Sequence, residues 1–213
     1  MNVLTEIPLF PLSAVLFPNS KLPLYIFEER YKILINKCLK SSEEFGIIFY
    51  SENRLSETGC TAIVTELTSK AENGEMNIIV TGIRKFTLTE YYTIPDGYLT
   101  GKVCFTEEKL YGINETLLRD CVINFNRLAE LVYKGSVSMI DPEDIKWKSG
   151  NNFVSFKIAE KCGINLLERQ KLLEMDNENT RLEYLMNFLE KILPEIEKAG
   201  KISDIIKSDG YLE

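Results

Sequence analysis

The chain contains no histidine. That excludes Ser-His and Cys-His nucleophile pairs and every zinc site that needs an imidazole. Its cysteines, Cys38, Cys60, Cys104, Cys121 and Cys162, are nowhere closer than 17 residues apart. No CxxC pair exists to build a Cys-only zinc site, so these read as reduced, mostly buried thiols of a cytoplasmic protein. No apolar run approaches the roughly 18 residues that a membrane-spanning helix needs. No basic region precedes a long apolar run at the N-terminus, and Glu6 and Pro8 interrupt it, so no secretory leader is expected. Strings of the form GxxxxGK[ST], GxGxxG and GxSxG are all missing. The nearest, "GYLTGKV" from Gly97 to Val103, is one residue short between its glycines and has Val103 where a Ser or Thr must meet magnesium. A Ser-Lys dyad needs no histidine, but no serine lies in a Gly-flanked turn with a lysine partner in view. Basic clusters are lacking too. Residues 1–106 carry 10 Lys/Arg against 12 Asp/Glu, and residues 107–213 carry 15 against 20. Both halves are acidic, which does not suit a surface that tracks phosphates.

What is present is an ordinary globular composition. The 213 residues are 45% hydrophobic and 27% charged, enough to bury a core without disulfides or metal. The period of the pattern changes along the chain. Residues 1–106 are rich in β-branched and aromatic residues. "EFGIIFY" (44–50) reads as a buried strand. The stretch 59–92 alternates, with Ala62, Val64 and Glu66 opposing Ile63, Thr65 and Leu67, and Asn73-Gly74 marks a hairpin between two runs. Residues 97–108 supply a further strand. Several short antiparallel strands at this spacing suggest a barrel or sandwich. One helix interrupts them after Phe27, with Tyr31, Leu34, Ile35, Cys38 and Leu39 on one face and Glu28 and Glu29 at its N-terminus.

From about residue 114 the period is helical. Leu117, Leu118, Cys121, Val122, Phe125, Leu128, Ala129 and Val132 form a stripe that Asn114 can cap and Gly135 can end. Residues 135–150 read as a loop holding Asp141-Pro142 and Trp147. A helix near 152–162 stops at Gly163, and the next starts after Asn165, with Glu168 placed for a capping box. The last carries Leu182, Leu185, Met186, Leu189, Ile192, Leu193 and Ile196; Pro194 should kink or restart it, and Gly200 is the expected stop. The fold class is therefore α+β, with a β domain over 1–110 and a helical domain over 111–213.

Most other chemistry in view is bland. Adjacent acids such as Glu28/Glu29, Glu43/Glu44 and Glu107/Glu108 point apart and read as caps or solvated faces. Asp141, Glu143 and Asp144 lack the spaced oxygens and glycine of a calcium loop. The helix pair 153–174 offers Glu168, Arg169, Gln170, Lys171 and Glu174 on its second helix, too acidic for a DNA reader.

The opening segment is more specific. Pro8-Leu9-Phe10-Pro11-Leu12, Phe17-Pro18, Pro23-Leu24, Ile26-Phe27-Glu28 and Arg30-Tyr31 stand in order, and together they resemble the start of the Lon N-terminal, or substrate-binding, domain family. The likeness continues in "FGIIF" (45–49), "TGCTAIVTEL" (58–67) and "VTGIRKFTL" (80–88). In the helical half it includes Gln170, then Leu172-Leu173-Glu174, then Arg181-Leu182. It spans roughly residues 5–195. No counterpart of the family's ATPase or protease modules follows, so the expectation is a stand-alone Lon-domain protein, or else an isolated fragment, without catalytic activity.

The resemblance implies a PUA-like β-barrel with one inserted helix, followed by an α-helical bundle. It implies binding of unfolded or exposed polypeptide in protein quality control, or work as an adaptor to a separate ATP-dependent protease. Weak self-association is allowed for; no DNA, membrane or cofactor is expected. Binding needs exposed apolar surface or an open strand edge, and the candidates are Leu16, Phe17, Leu22 and Tyr25 in the proline-rich segment with Tyr91, Tyr92 and Tyr98 near strand ends. Phe10, Phe27, Tyr31 and Phe86 are expected in the core. The alternative implied by a PUA-like fold is RNA binding, which requires Lys70, Arg84, Lys85 and Lys102 to converge beside aromatic residues.

Overall fold

The computed structural model describes residues 4–105, 112–142 and 153–208, the last eight as backbone only. Glu107/Glu108, Glu143, Asp144 and Trp147 lie outside the described residues. The elements run β1 (Leu4–Leu12), β2 (Lys21–Ile26), α1 (Glu29–Ser41), β3 (Phe45–Ser51), β4 (Arg54–Lys70), β5 (Met76–Thr93), β6 (Leu99–Phe105), α2 (Glu115–Tyr133), α3 (Val154–Lys161), α4 (Leu166–Glu174) and α5 (Glu178–Ser208). They form two compact units: all six strands with α1 and α4, and α2 with α3 and α5.

In the first unit the sheet order is β2-β5-β4-β3-β1-β6, and a further pairing joins the last strand, β6, to β5. Five strands thus close into a ring, with β2 added along the first half of β5. The strands are neither all short nor all antiparallel. β4 and β5 have 17 and 18 residues and bend at register shifts beside Cys60, Val64 and Leu67. Bulges of this kind let one long strand serve two sets of neighbours. β1 runs parallel to β3, with Leu9 opposite Gly46; a parallel pair needs a crossover, and α1 lies in it. Asn73-Gly74 makes the β4–β5 turn, with Gly74 at φ 83°.

The core of this unit has two parts. Phe10, Ile26, Tyr31, Leu34, Phe45 and Ile47 belong to the larger. Ile7, Leu9, Ile48, Phe86 and Val103 form the smaller, where the Phe86 ring lies 2.9 Å from the place a Cβ on Gly46 would occupy. Leu39 departs from its expected inward place: it is exposed, one turn from the left-handed cap at Ser42.

The segment before β2 is fixed by close backbone contact. Asn19 N–H donates to the Gly82 carbonyl at 2.8 Å, and Gly82 N–H donates to the Ser20 carbonyl at 2.9 Å. A Cβ at position 82 would lie far inside contact distance of the Phe17 carbonyl oxygen. Only glycine permits that approach.

In the second unit, α2 is capped as its sequence indicates: Asn114 Oδ1 accepts from Leu117 N–H at 3.1 Å, and Lys134 and Gly135 end it at positive φ. α5 runs through Pro194 and on past Gly200 to Ser208, so neither residue ends it. A proline forfeits one intrahelical bond, which the apolar face of Leu182, Leu185, Leu189 and Leu193 outweighs here. Arg181 is fully buried. Its Nη2 donates to Glu178 Oε2 at 2.9 Å, Nε to Ser155 Oγ at 2.9 Å and Nη1 to the Met175 carbonyl at 2.8 Å. The guanidinium also lies 4.6 and 4.5 Å from the Phe153 and Phe156 ring centres. Burial pushes the Glu178 carboxyl up, and Arg181 opposes that shift.

Gly82→Ala should lower the unfolding free energy by about 2–3 kcal/mol through overpacking against Phe17. Gly200→Ala, where a Cβ meets nothing within 4 Å, should be neutral or stabilise by up to ~1 kcal/mol. Urea titration of both variants measures this contrast.

Candidate functional site

A cleft of about 530 Å³ opens on the first unit. Phe10, Pro11 and Leu12 line it from the end of β1, and Tyr25, Ile26, Phe27, Glu28, Arg30 and Tyr31 from the β2–α1 junction. Tyr50, Asn53 and Leu55 come from the β3–β4 hairpin, and Tyr91 and Leu99 from β5 and β6. Side-chain alternation builds its wall. Ile26 is 1% exposed and points inward, so Phe27 points out and is 58% exposed. The hairpin is a two-residue turn, with Glu52 and Asn53 at φ 50° and 61° between the paired Ser51 and Arg54. That is the type I′ geometry favoured by strand twist, and it sets Tyr50 at the cleft, where its hydroxyl donates to Asn53 Oδ1 at 3.1 Å.

The floor is aromatic and packed. Phe10 stacks on Tyr31 with ring centres 4.0 Å apart, and burial pushes the Tyr31 phenol pKa up. At the mouth, Tyr25 and Phe27 stack at 5.8 Å. Tyr25 donates to Glu75 Oε2 at 2.5 Å, a bond that raises the phenol and lowers the carboxyl. Arg30 reaches Glu28 Oε2 through Nη2 at 2.7 Å and Nε at 2.9 Å, and lies 4.7 Å over the Tyr31 ring. The lining thus has abundant apolar and aromatic surface and one ion pair, which suits binding. Among the described residues no group of three His, Cys, Asp or Glu could hold a metal ion.

A family model described as the ATP-dependent protease La (LON) substrate-binding domain matches residues 6–191. The chain belongs to this family. It is 25% identical to the Lon protease of Wolbachia pipientis subsp. Culex pipiens (strain wPip) over 96% of this chain and 27% of that protein. To the Lon protease of Escherichia coli (strain K12) it is 23% identical over 95% of this chain and 27% of that one. The chain spans about a quarter of the length of the curated relatives it matches. Its fold is that of the Lon N-terminal domain protein from Xanthomonas campestris, with TM-score 0.64, 22% identity and coverage of 86% and 98% of the two chains. The N-terminal domain of the Mycobacterium avium complex Lon protease gives TM-score 0.65 at 16% identity, covering 87% and 98%.

Two of the residues singled out from the sequence of this Lon-family chain, Tyr25 and Tyr91, meet at the cleft. Leu16 and Phe17 do not reach the surface: they are 3% and 1% exposed, because the loop folds inward where Phe17 meets Gly82. Leu22 is half-buried against the larger core. Tyr92 is exposed but follows Tyr91 on the strand and so takes the opposite face, where partial desolvation, and then Glu6, raise its phenol pKa. Tyr98 is buried and accepts from Lys37 at 3.2 Å. Phe27, expected in the core, is instead the most exposed aromatic of the cleft. Tyr50, Asn53 and Arg30 were not among the expected contact residues. Asn53 was the available signal, since asparagine tolerates the left-handed region in a tight hairpin.

The basic residues named for RNA binding have partners within the chain or are buried. Arg84 bonds Glu44 at 3.0 Å, Lys102 bonds Glu90 at 2.9 Å and Lys70 bonds Asn36 at 2.9 Å, while Lys85 is buried. All five cysteines are free thiols. Burial pushes Cys38 up to about 11 and Cys121 up to about 12, and raises Cys60 as well. Only thiolates react readily. With a disulfide reagent at pH ~8, near the ordinary thiol pKa, Cys104 alone should be labelled before unfolding and all five thiols after it. Labelling of Cys38 or Cys121 in the native chain would contradict the burial described.

Proposed function

We propose that this chain is a non-catalytic polypeptide-binding module that takes unfolded or exposed segments of other proteins into the aromatic cleft. The observation that carries the proposal is the gathering of Tyr25, Phe27, Tyr50 and Tyr91, each 40–58% exposed, around one concave apolar floor. Exposed aromatic side chains at a concavity have much to gain from burial and lose little side-chain entropy on binding. Membership of a substrate-binding domain family supports the same reading. The role is one in protein quality control or as an adaptor, with an ATP-dependent protease as partner. The free thiols support a cytoplasmic setting; among the described residues no helix is long and apolar enough to cross a membrane. The closed ring of strands supports a PUA-like barrel.

Binding assays with matched denatured and native proteins test the proposal. The chain should retain the denatured forms and not the native ones. Phe27→Ser with Tyr91→Ser should weaken that retention about tenfold or more, as loss of central aromatic contacts does. Both residues are more than half exposed, so the thermal midpoint should hold. Equal retention of native and denatured protein, or full retention by the folded double variant, would overturn the proposal.

A further inference from the structure

The apolar lining of the cleft carries a charge bias. Among the described residues its only ionic groups are Glu28 and Arg30. Arg30 gives Nε and Nη2 to Glu28 Oε2 and lays its guanidinium on Tyr31, while its side chain stays 45% exposed. Glu28 Oε1 takes no part in that pair, and the Glu28 side chain is 40% exposed. A second carboxylate, Glu75, accepts a hydrogen bond from the Tyr25 phenol. Donation of that kind leaves the Tyr25 ring richer in electrons. With Phe27, Tyr50 and Tyr91, the mouth presents four partly exposed π faces, and such faces attract ammonium and guanidinium groups. Arg30 on Tyr31 shows this contact already made on the cleft floor. The wider field has the same sign, because residues 1–106 carry two more acids than bases and the whole chain carries −7.

Resting on the polypeptide reading above, we propose that the cleft selects extended segments whose large apolar side chains are flanked by lysine or arginine, and disfavours the same segments flanked by aspartate or glutamate. The apolar side chains supply the burial. A flanking cation meets an aromatic face and Glu28 Oε1. A flanking anion meets the negative faces of the rings and a carboxylate, and the one cation in the lining is already paired.

Three labelled, unstructured peptides test this by fluorescence anisotropy. They share the same Phe and Leu positions and differ only in flanks of Lys, Ser or Glu. Affinity should fall in that order at low salt, with about tenfold between the Lys and Glu peptides. The gap should narrow at about 0.5 M salt, where exposed charges are screened within a few ångströms. Glu28→Gln, checked for an unchanged thermal melt, should also narrow it. Equal affinity for all three peptides would overturn the charge selection and leave the polypeptide site standing. Tighter binding of the Glu peptide would overturn the selection outright. Binding of none of the three would overturn both.

Discussion

The approach of the Phe17 carbonyl to Gly82 is the contact on which the site depends. It brings the loop before β2 down onto β5, where Asn19 and Ser20 bond the Gly82 backbone. Those bonds set the register of β2, with Lys21 opposite Thr81 and Ile26 opposite Met76. The register in turn decides that Ile26 enters the core and that Tyr25 and Phe27 leave it. A slip of one residue would exchange these roles and erase the mouth of the cleft. One absent side chain at position 82 therefore controls which aromatics face solvent more than 50 residues earlier in the chain.

The same register explains the prolines of the opening segment. Ser20 accepts from Gly82, so the alternation of an antiparallel pair turns Leu22, Leu24 and Ile26 toward β5 and Lys21, Pro23 and Tyr25 toward the free edge. Pro23 has no N–H to offer there. The outer edge of β2 is thus interrupted at its middle, a common guard against unwanted strand addition. A client that approaches this side finds side chains, not a continuous ladder of backbone donors. On the proposed reading the cleft takes aromatic and apolar groups, which suits recognition of many sequences better than of one.

Local signals were legible in the sequence where the chemistry is local. Asn114 at the start of α2, the reciprocal bonds of Asn165 and Glu168 at 3.0 Å before α4, and the Asn73-Gly74 turn all act within a few residues of themselves. Long-range outcomes were not legible. Nothing in a window of ten residues reveals that β4 and β5 bend across two neighbours, that β1 runs parallel to β3, or that β6 joins both β1 and β5. α4 lies in the helical half of the chain yet groups with the strands, where Gln170 Nε2 donates to the Thr58 carbonyl at 3.0 Å. Within the site, the alternation that exposes Phe27 was present in the sequence, but its apolar character pointed inward. Leu16 and Phe17 erred the other way, because a proline-rich loop normally lies at the surface. The buried Arg181 is a further case: an arginine reads as exposed until Glu178, Ser155 and two phenylalanine rings surround it.

Recognition in this account needs no moving part and no catalytic group. It needs a packed floor, supplied by Phe10 on Tyr31, and a mouth of partly exposed aromatic side chains. Backbone NMR of the isotopically labelled chain, titrated with an unstructured polypeptide, tests that claim most directly. Shifts should concentrate at residues 25–31, 50–55 and 91, with Leu16, Phe17 and the helices of the second unit unmoved. Binding accompanied by shifts elsewhere and none in those three segments would contradict it.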